Sequence, residues 1–279
     1  MNIQSSKQNI SIGFIGAGNM AQAIIKGLLA AGHPATKIYI ADPAAEQRQA
    51  INSINDEIIC SADNTDLVAR VDVLVLAVKP QIMATVVAPL AELKRPAEQV
   101  IVSVAAGITL NTLSGWFGSD AALVRVMPNQ PALVAEGMSG LCATQGTQDN
   151  AREKASYVMQ ATGKLIWLDE ESLMDAVTAV SGSGPAYFYL IMEIMQQVTE
   201  EEFGFDSDTA KKLVTQTGLG AGKAAALSEE TLNTLRESVT SPGGTTAAAL
   251  ESLEASGIRD MFRAALKAAR DRSVELGRA

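Results

Sequence analysis

The sequence predicts an α/β protein in which an N-terminal doubly wound sheet of the Rossmann type is followed by an all-α dimerisation domain. Short apolar runs alternate with helical patterns from Ser11 to Leu168, which is typical of the strands and crossover helices of a parallel sheet. A glycine-rich turn follows the first run, and only helical patterns remain after Leu168. We therefore divide the chain into an α/β domain, residues 1–168, and an all-helical domain, residues 169–279.

Eight apolar runs are predicted as strands of this sheet. They are Ser11–Ile15, Lys37–Ala41, Ile58–Cys60, Val73–Val78, Val100–Val104, Ala122–Met127, Met138–Ala143 and Lys164–Leu168. Helices are predicted between most of them and, after Leu168, at Glu170–Val180, from about Ala186 to about Glu202, at Asp206–Leu227, and from about Ala247 and Ile258. Ligands of such sheets bind outside the carboxyl ends of the strands, so the residues that follow each strand are the candidates for a site.

The first predicted strand leads into the pattern G-x-G-x-x-A. Gly16 permits a tight turn, Gly18 lets a pyrophosphate approach the backbone, and Ala21 allows the helix and strand to pack closely. Asn19 is placed to cap the helix that follows, and the N-terminus of that helix faces the anion. With a strand before it and a helix after it, the pattern indicates a dinucleotide site.

The acidic residue of this fingerprint is Asp42, at the end of the second predicted strand. A carboxylate there accepts a hydrogen bond from the ribose 2′-hydroxyl and repels a 2′-phosphate, which favours NADH. Arg48, in the next helix, can instead pair with that phosphate. The cofactor is therefore expected to be NADPH or NADH. Asn64, in the loop after the third strand, is expected near the adenosine end.

Three further strand ends carry candidate residues. The fourth strand ends in Val78-Lys79-Pro80, where Lys79 either meets a cofactor or substrate or is a solvated loop lysine. Ala105 and Ala106 follow the fifth strand and are small enough to leave room for a nicotinamide ring. Asn129 follows the sixth strand between two prolines, and either hydrogen-bonds a carboxamide or substrate group or belongs to a rigid turn.

The helical half contains two unusual segments. Residues 187–195 are apolar on nearly every side, with Glu193 as their one charge, and a helix of this kind must be buried all round. We expect a second subunit to cover it. Residues 241–246, Ser-Pro-Gly-Gly-Thr-Thr, precede a helix and offer backbone N–H groups and hydroxyls to an anion. The alternative is an ordinary inter-helix turn with a threonine cap.

Composition excludes several classes of partner. A net charge of −9 disfavours nucleic acid. Cys60 and Cys142 form no CxxC motif and His33 is the single histidine, so a metal site is not expected and reduced thiols are. Met1–Asn9 lacks the apolar core of a signal peptide, and no uncharged apolar run reaches the ~18 residues that span a bilayer. We expect a soluble, cytoplasmic protein.

Six segments make the chain similar to the pyrroline-5-carboxylate reductase family. They are GFIGAGNMA at Gly13–Ala21, LAVKP at Leu76–Pro80, VSVAAGIT at Val102–Thr109, MPNQPALV at Met127–Val134, DAVTAVSGSGPAYF at Asp175–Phe188 and VTSPGGTTAAAL at Val239–Leu250. The last two are the most specific, and the similarity covers nearly the whole chain. It implies a dinucleotide-binding Rossmann domain followed by an all-helical substrate and dimerisation domain, and reduction of a small anionic cyclic imine to proline. The helical domain of this family interlocks in a homodimer, often within a larger ring of dimers.

The resemblance also implies individual roles. The residues assigned to the cofactor pyrophosphate are Gly16, Gly18, Asn19, Met20 and Ala21, those around the nicotinamide are Val78, Lys79, Pro80, Ala105, Ala106 and Asn129, and those for the substrate carboxylate and ring are Ser241, Gly243, Gly244, Thr245 and Thr246. The chain departs from the family pattern at Gln130, where threonine is usual, and over Thr231–Glu237, where a His-Pro-Gly segment is usual. The second departure concerns the substrate-side helix and not the reaction.

The expected reaction is hydride transfer to the imine carbon. A protonated imine is already electrophilic, so the protein mainly orients the reactants. The candidate catalytic residues are Thr246, whose hydroxyl is expected to hydrogen-bond the imine nitrogen, and Lys79. Two alternatives remain: a β-hydroxyacid-type dehydrogenase, which would use a helical lysine such as Lys223 but meets Leu227 where asparagine is expected, and a non-catalytic nucleotide-sensing protein.

Overall fold

The structure is a computed structural model that describes residues 9–277. The tail Met1–Asn9 therefore lies, apart from Asn9, outside the described residues. The strands are β1 (Ile12–Ile15), β2 (Ile38–Ala41), β3 (Ile59–Ser61), β4 (Val73–Leu76), β5 (Val100–Ser103), β6 (Ala122–Met127), β7 (Gly137–Ala143) and β8 (Gly163–Trp167). The α-helices are α1 (Asn19–Ala30), α2 (Ala45–Asn52), α3 (Thr65–Val68), α4 (Pro80–Ala91), α5 (Leu110–Phe117), α6 (Asp149–Gln160), α7 (Met174–Val177), α8 (Gly184–Glu201), α9 (Ser207–Leu227), α10 (Leu232–Ser238), α11 (Thr245–Ala255) and α12 (Ile258–Leu276).

The strands form one sheet in the order β3-β2-β1-β4-β5-β6-β7-β8. The order runs outward in opposite directions from β1 and β4, which is the switch point of a doubly wound sheet. Strands β1 to β6 are parallel to one another. The predicted α/β class, with a Rossmann-type sheet followed by helices, is thus confirmed.

One part of the predicted sheet is wrong, because β7 pairs with β6 in the antiparallel direction. Parallel neighbours need a crossover of about a dozen or more residues, usually a helix. The connection between Met127 and Gly137 contains only a 3₁₀ turn, Gln130–Val134, and is too short for such a crossover. Strand β8 is parallel to β7, since α6 connects them.

The core of the sheet lies on both of its faces. Strands β1, β4 and β5 are buried at every position, as expected for strands that are covered by helices on both sides. Phe14 of β1 packs in a cluster with Ile24 of α1 on one face. Leu74 of β4 packs with Met83 of α4 and Leu113 of α5 on the other. The sheet is therefore a rigid platform for the loops at its edges.

The described chain divides into two compact units. The first comprises residues 9–183 together with 269–277, and the second residues 184–268. The last strand ends at Trp167, while the first unit continues to Ser183, so a domain boundary after Leu168 remains a prediction. In the second unit α8 and α9 pack against each other.

The helical half differs from the prediction at two places. The helix expected over Glu170–Val180 is divided into a 3₁₀ turn (Glu171–Leu173), α7 and a π-helical turn (Thr178–Gly182). Helix α10 was not predicted as an element; the side chain of Thr231 caps it by accepting a hydrogen bond from the backbone N–H of Thr234 at 3.1 Å. Within residues 9–277 there is no helix with the length and apolar character needed to span a membrane.

Candidate dinucleotide and substrate site

The glycine-rich turn joins β1 to α1 at the switch point. Gly16 has a φ of +98°, and a Cβ there would lie 2.8 Å from the carbonyl oxygen of Ala77, so this position requires glycine. A Cβ on Gly18, in contrast, would meet nothing within 4 Å. The space beside Gly18 is open to a ligand.

The expected cap at Asn19 is wrong by one position. Asn19 is the first residue of α1, and Gly18 is the N-cap, with no side-chain hydrogen bond to the cap among the described residues. Glycine has no side chain that can satisfy the first N–H groups of the helix. These groups, at the positive end of the helix dipole, suit an anion such as a pyrophosphate.

The carboxylate of Asp42 is bound to the glycine-rich turn. Its Oδ2 accepts a hydrogen bond from the N–H of Ala17 at 2.9 Å, and its Oδ1 accepts one from the N–H of Ala44 at 2.9 Å. Arg48 donates through Nη1 to the carbonyls of Asp42 at 2.6 Å and Pro43 at 2.9 Å. Asp42 therefore fastens the end of β2 to the turn, and each of its oxygens retains a lone pair for a ribose hydroxyl.

Asn64 follows β3 and is the N-cap residue of α3. Its Oδ1 is buried and has no hydrogen-bond partner among the described residues. A buried amide oxygen without a partner is costly, and a ligand hydroxyl or amine would satisfy it. This observation is compatible with the predicted position of Asn64 near the adenosine end of a cofactor.

The loops after β4 and β5 contain the predicted nicotinamide-side residues. Lys79 is exposed at the N-cap of α4, with Pro80 as the first helical residue, and its ammonium makes no hydrogen bond or ion pair within the described chain. Val78 is half-buried, Ala105 is buried and Ala106 is exposed. Since β1, β4 and β5 are adjacent and parallel, these residues and the glycine-rich turn lie along the same edge of the sheet.

Asn129 follows β6 at the same edge, and both ends of its side-chain amide are engaged. Nδ2 donates to the carbonyl of Ser181 at 3.0 Å, and Oδ1 accepts from the N–H of Met138 at 2.9 Å. The sequence indicated Asn129 but not these partners. One amide hydrogen and one oxygen lone pair remain for a ligand.

The predicted substrate residues lie in the second unit, where they precede α11. Gly243 has a φ of +70°, which favours glycine. Gly244 is the N-cap, and no side chain in the described residues caps the helix. Thr245 is therefore the first helical residue, two positions before the predicted start at Ala247. The loop presents the N–H groups of the first turn together with the hydroxyls of Thr245 and Thr246, a combination that suits a carboxylate.

The described residues provide neither a metal-binding cluster nor a histidine at these loops. Within residues 9–277, no three histidine, cysteine, aspartate or glutamate side chains gather closely enough to hold a metal ion. His33 lies at the other end of α1 and is buried, with its Nδ1 3.0 Å from the hydroxyl of Tyr157. Desolvation, with a smaller effect from Lys37, lowers its pKa to about 4, so the imidazole is neutral at pH 7.

The first unit has the architecture of a dinucleotide-binding oxidoreductase domain, and comparison with known families agrees. Residues 11–107 match the family described as "NADP oxidoreductase coenzyme F420-dependent". Residues 171–276 match the family described as "Pyrroline-5-carboxylate reductase dimerisation". The two matches together include the glycine-rich turn and the loop that precedes α11.

Full-length relatives are more specific. The chain is 48% identical to the pyrroline-5-carboxylate reductase of Pseudomonas aeruginosa, over 95% of this chain and 96% of that protein. The structure of the Coxiella burnetii pyrroline-5-carboxylate reductase has a TM-score of 0.90 and 36% identity, over 96% of this chain and 98% of that one. That of the Plasmodium falciparum pyrroline carboxylate reductase with NADP bound has a TM-score of 0.81 and 28% identity, over 97% and 99%. The chain belongs to the pyrroline-5-carboxylate reductase family.

Proposed function

We propose that this protein reduces the cyclic imine 1-pyrroline-5-carboxylate to L-proline with NADPH or NADH, the last step of proline biosynthesis. The observation that carries the proposal is the similarity over 95% of the chain to a reductase of this name at 48% identity. It includes both the turn that suits a dinucleotide and the loop that suits a carboxylate. A protein that only senses a nucleotide would not need the loop that suits a carboxylate.

The residues of the first unit fit a nicotinamide dinucleotide. Such a molecule would fill the open space at Gly18. It would also accept hydrogen bonds from the uncapped N–H groups of α1 and donate one to the unpartnered Oδ1 of Asn64. The residues that would hold it are Gly16, Gly18, Asn19, Met20, Ala21, Asp42, Asn64, Val78, Lys79, Pro80, Ala105, Ala106 and Asn129. The reduced nicotinamide supplies the hydride for the imine carbon.

The chain's own task is to bind and orient the imine. The N–H groups and hydroxyls of Ser241, Gly243, Gly244, Thr245 and Thr246 bind its carboxylate and ring. The hydroxyl oxygen of Thr246 accepts a hydrogen bond from the protonated imine nitrogen, and Lys79 contributes a positive charge on the cofactor side. No strong protein acid is needed, since the imine is protonated before reduction. Orientation alone can lower a barrier by roughly 7–11 kcal/mol.

The helical region is the basis of the proposed assembly. The match to a dimerisation family over residues 171–276 indicates a homo-oligomer. On α8, Phe188 is 65% exposed and Leu190 is 55% exposed, and a second copy that covers this face would bury both. We propose a homodimer built on α8, within a larger ring of dimers, that acts in the cytoplasm.

The test of the proposal is oxidation of NADPH by the purified protein in the presence of 1-pyrroline-5-carboxylate, followed at the nicotinamide absorbance band. Production of proline in equal amount supports the reductase. Cofactor binding without turnover would identify a sensor instead. Turnover of a β-hydroxyacid with NAD or NADP, and not of the imine, would favour the dehydrogenase.

Two variants test the loop of the second unit. Gly244→Val crowds the bound carboxylate. A Cβ added at this position would lie 3.1 Å from the carbonyl oxygen of Ser241. Thr246→Ala removes the hydroxyl that hydrogen-bonds the substrate. Its loss costs on the order of 1–3 kcal/mol of binding free energy when the partner group is left unsatisfied. Both should lower kcat/KM for the imine, Gly244→Val more severely, with NADPH affinity unchanged. Weakened cofactor binding with unchanged imine kinetics would move the substrate site elsewhere.

A further inference from the structure

Asn129 links three segments of the first unit that are remote in sequence. Its amide nitrogen reaches Ser181 in the π-helical turn, and its amide oxygen reaches Met138 at the start of β7. Its own backbone follows β6 at the edge where the cofactor residues lie. A side chain in this arrangement fixes the backbone after β6 from both sides.

The π-helical turn itself is held firmly against the sheet. A Cβ on Gly182 would lie 2.5 Å from the Cε of Met127, the last residue of β6. A Cβ on Gly140 would lie 2.8 Å from the Cγ1 of Val177, the last residue of α7. These close approaches leave the turn little freedom to shift. Short π-helical segments are rare and are frequently found at functional sites.

The connection from β6 to β7 is stiff for a second reason. The N–H of Ala132 donates to the carbonyl of Asn129 at 3.1 Å, and the N–H of Glu136 donates to that of Pro131 at 3.1 Å. Ala135 has a φ of +59°, an unfavourable value for a residue with a Cβ. A strained residue of this kind persists only where its surroundings hold it, and the bond from Asn129 to Met138 closes the loop that contains it.

We propose that Asn129 is a positioning residue for hydride transfer, whose amide fastens the backbone after β6 to the π-helical turn and to β7. Asn129, assigned above to the nicotinamide side of the cofactor, thus acts through Ser181 and Met138. Its effect on the reaction comes from the fixed arrangement of the loop and not from affinity for the cofactor. The inference rests on the proposed reductase function and adds to it how the nicotinamide-side loop is held.

Two variants separate the two arms of the amide. Asn129→Ala removes both hydrogen bonds. Asn129→Asp keeps an oxygen for the N–H of Met138 but places a carboxylate oxygen against the carbonyl of Ser181. The matched control is Thr178→Ala, which removes a hydrogen bond of 2.9 Å from Thr178 to the carbonyl of Met174 in the same segment and leaves the Asn129 bonds intact.

The first measurement needs neither cofactor nor substrate. Hydrogen exchange of the Met138 amide should be faster in Asn129→Ala than in wild type, while Asn129→Asp and Thr178→Ala should keep it protected. The second is kinetic. Both Asn129 variants should lose about ten- to a hundredfold in kcat, with a larger deuterium isotope effect from NADPH labelled at the transferred position and an NADPH Kd within about twofold of wild type. Thr178→Ala should retain the wild-type kcat and isotope effect.

Two results would overturn the proposal. A Kd for NADPH that weakens in parallel with kcat would make Asn129 a direct cofactor ligand. A lower melting temperature with unchanged kcat and isotope effect would make it a structural residue only. Failure of the proposed function is recognised separately, because wild-type protein would then not reduce the imine in the same assay.

Discussion

The two compact units place their apolar side chains very differently. Every residue of β1, β4 and β5 in the first unit is buried, whereas α8 in the second unit buries Gly184 and no other residue, and α11 buries none. The first unit therefore contains its own core. The second unit instead exposes apolar side chains, which the proposed second copy of the chain would bury. Apolar side chains thus serve stability in the first unit and, as proposed, assembly in the second.

The largest expected effect is the loss of that assembly. Phe188→Asp places a charge on the exposed face of α8, and burying a phenylalanine contributes roughly 1.5–3 kcal/mol, counted twice across a two-fold interface. We expect light scattering at micromolar concentration to show the mass of a dimer or of a ring of dimers for wild type, and monomer or aggregate for the variant. NADPH binding by the first unit should persist.

The matched control for this variant is Ile166→Asp. Ile166 is 43% exposed on β8, an edge strand of the first unit, and the variant introduces the same charge outside the second unit. The Ile166→Asp variant should keep the wild-type mass in light scattering. Dissociation by Ile166→Asp, or a well-behaved wild-type monomer, would contradict the proposed role of α8.

A smaller effect is expected inside the first unit, at the ion pair of Arg125 and Glu171. The guanidinium of Arg125, 8% exposed, donates to Glu171 Oε1 at 2.7 Å, and the same oxygen accepts from the N–H of Leu110 at 2.8 Å. Glu171→Ala leaves a buried charge unpaired and should lower the free energy of unfolding by about 3 kcal/mol, the lower end of the range for buried pairs, because Glu171 is 28% exposed.

Urea unfolding at fixed protein concentration measures this change. The control is Glu275→Ala, which breaks the ion pair with Arg272 on α12, where both side chains are more than half exposed. Exposed pairs contribute about 0–1 kcal/mol. Equal losses for the two variants would show that burial of Arg125 does not set the energy of the pair.

The pH dependence of stability should reflect His33. The unfolded imidazole has a pKa of 6.5, and burial lowers the folded value to about 4. Below pH 6.5 the unfolded chain binds a proton that the folded chain does not, so stability falls from pH 6.5 to about pH 4 and then stays level. The loss is roughly 3 kcal/mol. His33→Asn should show less acid destabilisation in urea unfolding at pH 7 and 4.5; identical pH dependence would contradict this.

The smallest expected effect concerns cofactor preference. Asp42→Ser and Asp42→Asn both remove the charge that repels a 2′-phosphate, and both should raise the ratio of kcat/KM for NADPH over NADH about fivefold, or roughly 1 kcal/mol. Asp42→Asn keeps one oxygen acceptor for the N–H of Ala17 or Ala44. Asp42→Ser should therefore lose more activity with both cofactors. An unchanged ratio would remove Asp42 from cofactor selection.

The strands were predictable because buried parallel strands are continuous apolar runs, and each predicted strand overlaps an observed one. The direction of β7 was also readable, since the connection after Met127 is too short for a crossover. The hydrogen-bond partners of Asn129 could not be predicted, because Ser181 lies 52 positions away in the sequence. A local sequence pattern does not show which remote residues meet in the fold. The hydrogen bond from the N–H of Ala17 to Asp42 could not be predicted either. It gives Asp42 a structural role in addition to its predicted contact with the ribose.

The breakdown of the helix after Leu168 has a similar origin. Thr178 and Ser181 both donate to carbonyls four residues earlier, which competes with regular helix hydrogen bonding. Glycines at 182 and 184 add freedom. Sequence propensity indicates a helix there, and contacts with Met127 and Gly140 decide its form. Such contacts are tertiary and lie beyond a single-sequence pattern.

The last two turns of α12 contact parts of the first unit that are synthesised much earlier. Ser273 donates to Asp175 at 2.7 Å across 98 positions, and the carbonyl of Leu276 lies 3.6 Å from where a Cβ of Gly107 would stand. Domains generally fold as they leave the ribosome, the N-terminal one first. Here the sheet can form early, but its contacts with α12 form only after the intervening helices have been synthesised. A chain that stops before Ser273 would contain every cofactor residue of the first unit and still leave Asp175 without this partner.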